Sequence, residues 1–175
     1  LALDVLAAVL DGYDNARLTA RLVRTERVAN EVGASYTGVA RGPVQFILDG
    51  TPAAGTTTEQ LEGYLRAEVT RIAKEGVSEE ELKRVKTQLI ASQIYKRDSV
   101  FGQAMEIGMM EMSGHSWRDI DRLIERLRQV TPQQVQAVAQ KYFGDDALTV
   151  GTLVPLPMTG KQPAAPASAV TGPLR

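Results

Sequence analysis

Four arginines in one short stretch are the side chains best suited to bind something. They fall within NARLTARLVRTERVANEVGASY, residues 15–36, and are Arg17, Arg21, Arg24 and Arg27. The pattern predicts a helix that passes directly into a strand, with Arg24 at the junction. A guanidinium there could reach past the edge of a sheet toward a carbonyl or carboxylate of a bound peptide. The alternative is a surface ion pair with Glu26 or Glu31, worth only about 0.2–1 kcal/mol. Spacing alone favours this ion pair.

The single histidine, His115, lies in a Ser-Gly-His-Ser link with Glu111, Asp119 and Asp121 nearby. A zinc site needs three or four ligands in a fixed geometry, whereas this link offers one imidazole and carboxylates on a turn. We therefore interpret His115 as a turn residue. The absence of cysteine excludes disulfides and thiolate metal ligands. The sequence also contains no glycine-rich phosphate loop, nucleophile elbow or serine-histidine pair.

The composition narrows the classes of partner. Twenty basic and twenty-one acidic residues give a net charge of -1, so no global field favours nucleic acid or an anionic membrane. No apolar run approaches the roughly 20 residues that span a bilayer. No signal-peptide pattern is present, and we expect a soluble chain. A chain of 175 residues fits one domain.

Hydrophobic spacing predicts the elements that carry these residues. Apolar residues at helical spacing predict a first helix that stops at Gly12, and its uncapped start at Leu1 suggests that a preceding segment is missing. Alternation predicts two strands, Val32 to Tyr36 and Val44 to Leu48. Capping signals predict helices that start near residues 56, 78, 116 and 131: Thr56 with Glu59, Ser78 with Glu81, Ser116, and Thr131 with Pro132 and Gln134.

A further stripe at helical spacing consists of Phe101, Ala104, Met105, Gly108, Met109 and Met112. We predict that it is core, with an adaptable binding groove as the alternative. Leu148 to Val154 is predicted to be a last strand. Together these elements predict an α+β domain over residues 1–155, with helices packed on one face of a largely antiparallel sheet. Residues 156–175 are predicted to be a flexible tail rich in proline and alanine.

Three stretches in this order resemble a known family. They are ARLTARLVRTERVANEVGASY, EGVSEEELKRVKTQLIASQ and VTPQQVQAVAQKYFGDDALTVGTLVP. Together they are similar to the C-terminal half-domain of the pitrilysin and insulinase type of zinc metallopeptidases, whose relatives include the mitochondrial processing peptidases. The resemblance covers nearly everything from Leu1 to Pro155. It also implies that a strand normally precedes the helix that begins at Leu1.

The resemblance implies a protein made of two related α+β halves that enclose a peptide-cleavage chamber. Zinc is expected in the other half or in a partner subunit, on an inverted H-x-x-E-H helix. One histidine cannot supply that motif, so we expect no cofactor and no peptidase activity in this chain alone. The expected partners are a zinc-carrying half and a peptide or unfolded protein substrate, in a homo- or heterodimer. For the bacterial branch, the resemblance implies a periplasmic or envelope location.

The family's half-domain often supplies an arginine and, seven residues later, a tyrosine that hold the substrate backbone and polarise the scissile carbonyl. By this resemblance Arg24 takes the arginine position and Glu31 the tyrosine position, which makes both candidate substrate-binding residues. A carboxylate cannot donate the phenolic hydrogen bond and would disfavour a developing oxyanion. Glu31 in place of the family's tyrosine favours the C-terminal half of a zinc-carrying subunit over a zinc-less subunit. Two alternatives remain open: a structural or adaptor subunit of this fold, and an unrelated helical module that binds through exposed methionine and tryptophan side chains.

Overall fold

The computed structural model describes residues 1–155. The tail predicted for residues 156–175 lies outside this part of the chain. Over these described residues, six α-helices, two strands and a π-helix follow one another, with short 3-10 turns between some of them. In chain order they are α1 (Ala2–Asp11), the π-helix (Thr19–Thr25), β1 (Ala29–Tyr36), β2 (Phe46–Pro52), α2 (Thr58–Glu75), α3 (Glu79–Tyr95), α4 (Val100–Met112), α5 (Ile120–Arg128) and α6 (Pro132–Tyr142).

Within the described residues the sheet consists of β1 and β2, which pair antiparallel with Val32 opposite Gly50 and Tyr36 opposite Phe46. Helices α1 and α2 pack against these strands, and α6 packs against both helices. The core lies between them, and ten of its side chains are almost fully buried: Leu6, Leu10, Leu18, Leu22, Ile72, Leu82, Val5, Val9, Val85 and Val135. The predicted α+β class is confirmed.

The strand predicted from Leu148 to Val154 is wrong. These residues form no ladder with β1 or β2 in the described part of the chain. A strand is stabilised by hydrogen bonds to a neighbouring strand as well as by its own alternating pattern. Without such a neighbour the apolar side chains remain open to solvent, and Leu148 is 45% and Leu153 90% exposed.

Side-chain caps define the starts of α2, α3, α4 and α6, and two predicted starts are shifted. Ser116 caps a 3-10 turn, Trp117–Asp119, and α5 begins after it at Ile120. Helix α2 begins with a capping box of Thr57 and Gln60, one residue later than the predicted pair of Thr56 and Glu59. Thr131 and Gln134 form the predicted box at α6, with Pro132 in the first turn. Helix α2 ends at Gly76, whose φ of 76° and ψ of -159° lie in a region that is essentially restricted to glycine.

The methionine stripe is not core, so that interpretation is wrong. On α4, Phe101 and Met112 are both 76% exposed, Met105 is 51% and Met109 48% exposed, while Met110 on another face is buried. The reason is the position of the helix. Within residues 1–155, α4 packs mainly against the short 3-10 turns that flank it rather than against a long helix or the sheet. Helical periodicity identified a face of α4, but not whether another element covers it.

No helix in the described part of the chain combines the length and apolar character that a membrane crossing requires.

Candidate functional site

The arginine stretch forms a π-helix where the sequence predicts an α-helix. The backbone N–H of Glu26 donates to the carbonyl of Arg21 at 2.8 Å, and the Thr25 hydroxyl donates to the carbonyl of Ala20 at 2.9 Å. Both bonds reach back five residues rather than four. Leu18 and Leu22 still point into the core, as predicted, and are fully buried. A π-helix of seven residues is rare, and such segments are frequent at functional sites.

The π-helix is followed by a left-handed backbone residue. Arg27 has a φ of 55°, and among residues 1–155 it is the one residue other than glycine with a positive φ. This conformation costs a side-chain-bearing residue about 1–3 kcal/mol and persists where the surrounding structure enforces it. Here it turns the chain from the π-helix into β1. The predicted junction between the helix and the strand therefore has an unusual backbone conformation.

Five charged residues hold the π-helix against α2 and α3. We call them the ion-pair cluster: Arg17, Arg21, Glu26, Glu68 and Glu81. Arg17 binds the Glu81 carboxylate through two nitrogens, Nε at 2.8 Å and Nη2 at 2.6 Å. Arg21 lies between two carboxylates, with Nε 2.5 Å from Glu26 and Nη1 2.9 Å from Glu68. Residues five apart are neighbours on a π-helix, which explains how Glu26 can pair with Arg21.

Glu68 is the unusual member of the ion-pair cluster because it is 2% exposed, deep among the apolar residues of α2. Burial raises the pKa of its carboxyl above the ordinary value, and the positive charges of Arg21 and Arg17 oppose this shift. The carboxylates in turn raise the pKa of Arg17 and Arg21, and the largest causes are the hydrogen bonds that Glu81 accepts from Arg17 and Glu26 accepts from Arg21. Sequence reasoning missed Glu68, although its place between Leu65 and Val69 on the inner stripe was a signal.

Arg24 and Arg27 are the two arginines of this stretch that lie outside the ion-pair cluster, and both side chains are exposed. Arg24 lies in the last turn of the π-helix. Within residues 1–155 neither Glu26 nor Glu31 forms an ion pair with it, because Glu26 pairs with Arg21. The predicted ion pair of Arg24 is therefore wrong, because Glu26 pairs with Arg21 instead. Glu31 is exposed on β1 opposite Thr51.

The link around His115 does not form a metal site. His115 is exposed, and its backbone N–H donates to the carbonyl of Met110 at 3.0 Å. The nearby carboxylates have other partners: Glu111 accepts the backbone N–H of Trp117, and Asp119 pairs with Arg122. Among residues 1–155 no group of three histidine or carboxylate side chains is placed to hold a metal ion. The described residues therefore do not fit the zinc ion of the family.

Comparison with known proteins assigns this chain to a protein family. A family model described as the peptidase M16 inactive domain matches residues 1–89, from α1 into α3. This match covers more than half of the chain, and the chain belongs to that family. The chain corresponds to the C-terminal half-domain of an M16 peptidase. A search of curated proteins finds no match.

Solved structures share this fold at low sequence identity. An inactive peptidase domain of a candidate zinc protease from Bordetella parapertussis is 22% identical, with a TM-score of 0.77 over 94% of this chain and 85% of that one. A peptidase M16 inactive domain from Pseudomonas fluorescens is 18% identical, with a TM-score of 0.64 over 82% of this chain and 34% of that one. A Helicobacter pylori protease is 19% identical, with a TM-score of 0.76 over 82% of this chain. The chain spans about a third of that protease, 34% of its length.

Proposed function

We propose that this chain is the half of a zinc metallopeptidase that does not bind zinc, and that it forms a wall of the peptide-cleavage chamber opposite a zinc-carrying half. The family match carries the proposal, because the matching model describes an inactive peptidase domain. The described residues, which offer no group of metal ligands, agree with it. We place the assembly in the bacterial periplasm or envelope by family resemblance alone.

In this proposal the zinc-carrying half activates water, and this chain binds substrate. Arg24 is the candidate for this role, since it takes the arginine position that the resemblance implies and is exposed, permanently charged and outside the ion-pair cluster. Its guanidinium would donate hydrogen bonds to a backbone carbonyl of an extended peptide. Glu31 cannot donate in this way when ionised, so no second donor is proposed at its position. This chain would accordingly position the peptide and leave the bond-breaking step to the other half.

The second candidate function is a structural or adaptor subunit with the same fold and no part in proteolysis. The carboxylate at position 31 favours this alternative, because it removes the donor that the resemblance implies there. The residues encoded before Leu1, and the neighbouring reading frame, distinguish the two functions. An H-x-x-E-H motif in either place supports the peptidase. Its absence from both supports the scaffold.

Replacing Arg24 with alanine should lower peptide turnover by the reconstituted assembly about 10-fold or more, as the loss of a charge-assisted hydrogen bond of 1.5–3 kcal/mol implies. The thermal unfolding of this chain should not change, because Arg24 is exposed and unpaired within residues 1–155. Steady-state kinetics with one peptide substrate provide the measurement. Arg41→Ala is the matched control, since Arg41 is exposed in the loop between β1 and β2. Equal turnover by the two variants would remove Arg24 from the substrate site.

A further inference from the structure

Arg24 is spanned by hydrogen bonds that each join a residue after it in the chain to a residue before it. They reach back five or six residues and connect Thr25 to Ala20, Glu26 to Arg21 and Val28 to Leu22. The last of these, from the Val28 N–H to the Leu22 carbonyl, is 2.9 Å long. Since Leu22 is also fully buried in the core, the backbone on both sides of Arg24 is held in place. Arg24 therefore projects its exposed side chain from a fixed backbone.

The side chains of Arg21 and Glu26 make a further connection across Arg24. Arg21 Nε lies 2.5 Å from the Glu26 carboxylate, so this salt bridge closes over residues 22–25. Arg21 Nη1 is at the same time 2.9 Å from Glu68 on α2. Because one planar guanidinium holds both carboxylates, the salt bridge across Arg24 has a fixed place relative to α2. Glu68 is the member of this arrangement that lies outside the arginine stretch, and it anchors the segment that carries Arg24.

A buried carboxylate such as Glu68 is a poor source of stability. Its side chain is 3% exposed, and the desolvation penalty of a buried ion pair often equals or exceeds the attraction between its charges. Apolar side chains of similar volume are often at least as stabilising in the same place. A buried charge does restrict where its partner can lie, because any other position leaves the charge unpaired, and in some proteins a buried polar group fixes the register of packed helices. Geometry is therefore what the pair of Glu68 and Arg21 supplies.

We propose that Glu68 is a positioning residue for substrate binding: it holds Arg21, whose salt bridge to Glu26 sets the direction in which Arg24 leaves the π-helix. This inference rests on the proposed function of Arg24 as the group that binds the peptide backbone. A hydrogen bond from a guanidinium to a carbonyl depends on distance and angle, so a displaced Arg24 loses turnover although its charge is kept. Arg71 also faces Glu68, at 3.8 Å, but both residues lie on α2, so their pair does not link α2 to the π-helix.

Replacing Arg21 and Glu68 together with methionine separates positioning from stability. The double variant Arg21→Met with Glu68→Met leaves neither of these charges unpaired, so it should unfold thermally near the wild-type temperature. In the reconstituted assembly its kcat/KM for one peptide should nevertheless be about 3- to 10-fold lower, up to the loss expected for Arg24→Ala. Arg21→Lys keeps a charge beside Glu68 but lacks the fork that holds two carboxylates, so its turnover should fall as well. Arg71→Met is the matched control and should turn over peptide like the wild type. Wild-type turnover by both Arg21 variants would overturn the proposal.

The same substitutions in an Arg24→Ala background show whether Glu68 acts through Arg24. If it does, the turnover already lowered by Arg24→Ala should change by less than about 2-fold when Arg21 and Glu68 are also replaced. An equal fractional loss in both backgrounds would mean that the pair acts elsewhere; it would overturn the positioning role while the substrate role of Arg24 stands. If Arg24→Ala alone leaves turnover unchanged, the substrate role of Arg24 is wrong, and the positioning role of Glu68 is wrong with it.

Discussion

Replacing Arg21 with alanine should lower the free energy of unfolding of this chain by about 2–4 kcal/mol. Removing one partner of a buried ion pair costs about 3–5 kcal/mol because a charge is left buried without compensation. Glu68 is such a charge, with its side chain 3% exposed and 2.9 Å from Arg21. We reduce the expected loss because the Arg21 side chain is itself 32% exposed. Chemical denaturation at neutral pH measures the effect.

This loss should depend on pH in a defined direction. Burial raises the folded-state pKa of Glu68 above its ordinary value of 4.5, while Arg21 lowers it. Between the unfolded and folded pKa values the folded chain retains a proton that the unfolded chain has released, so stability falls as pH rises through this window. Without Arg21 the folded-state pKa of Glu68 rises further, and the stability of the chain falls by a larger amount across this window. The stability lost on Arg21→Ala should therefore be greatest above the window and smaller below the ordinary pKa.

Arg71→Ala is the matched control for Arg21→Ala. Arg71 also faces Glu68, but at 3.8 Å, and its side chain is 37% exposed. A long, solvent-exposed ion pair contributes at most about 1 kcal/mol. If the two variants are destabilised equally, Arg21 does not compensate the buried charge, and the ion-pair cluster is not what secures the π-helix.

Replacing Leu22 with alanine should lower the free energy of unfolding by about 2–5 kcal/mol. Leu22 lies on the π-helix and is fully buried in the core with Leu10 and Leu18. Its truncation removes apolar contacts and leaves a cavity that the helix cannot close by moving, because Arg17 and Arg21 fix its position. Thermal or chemical denaturation gives the value.

Met109→Ala is the control for Leu22→Ala and also checks that the methionine stripe of α4 is not part of the core. Met109 is 48% exposed, so its truncation should lower the free energy of unfolding by no more than about 0.5 kcal/mol. A loss at Met109 as large as that at Leu22 would return the methionine stripe to the core, as the sequence pattern suggested.

Sequence reasoning succeeded where the outcome depends on neighbours along the chain. The capping box at Thr131, the buried pair Leu18 and Leu22, and the strand pair β1 and β2 follow from local spacing and turn chemistry. The π-helix could not be predicted from local spacing, because Leu18 and Leu22 are four residues apart, a spacing that suits an α-helix as well as a π-helix. The ion pairs of Arg21 with Glu26 and Glu68, which accompany the π-helix, could not be predicted from local spacing either, because Glu68 is 42 or more residues away in sequence from both.

The errors on the methionine stripe of α4 and on residues 148–154 have one physical origin. Periodicity shows which side chains share a face, while burial depends on a second element that covers it. Within residues 1–155 neither the methionine stripe of α4 nor the segment from Leu148 to Val154 is covered in this way. The family could be inferred because it depends on the order of several ordinary segments. Assigning a role to Arg24 requires a measurement of binding or turnover, because exposure makes the side chain available to a ligand but does not identify that ligand.

The most direct test of the central claim compares this chain, a zinc-carrying half and their mixture. Zinc content and peptide turnover are measured for each of the three samples. If this chain is the half of the peptidase that does not bind zinc, the metal should be found in the other half, and turnover should appear only in the mixture. Stoichiometric zinc bound to this chain, with peptide cleavage by the chain alone, would contradict the account.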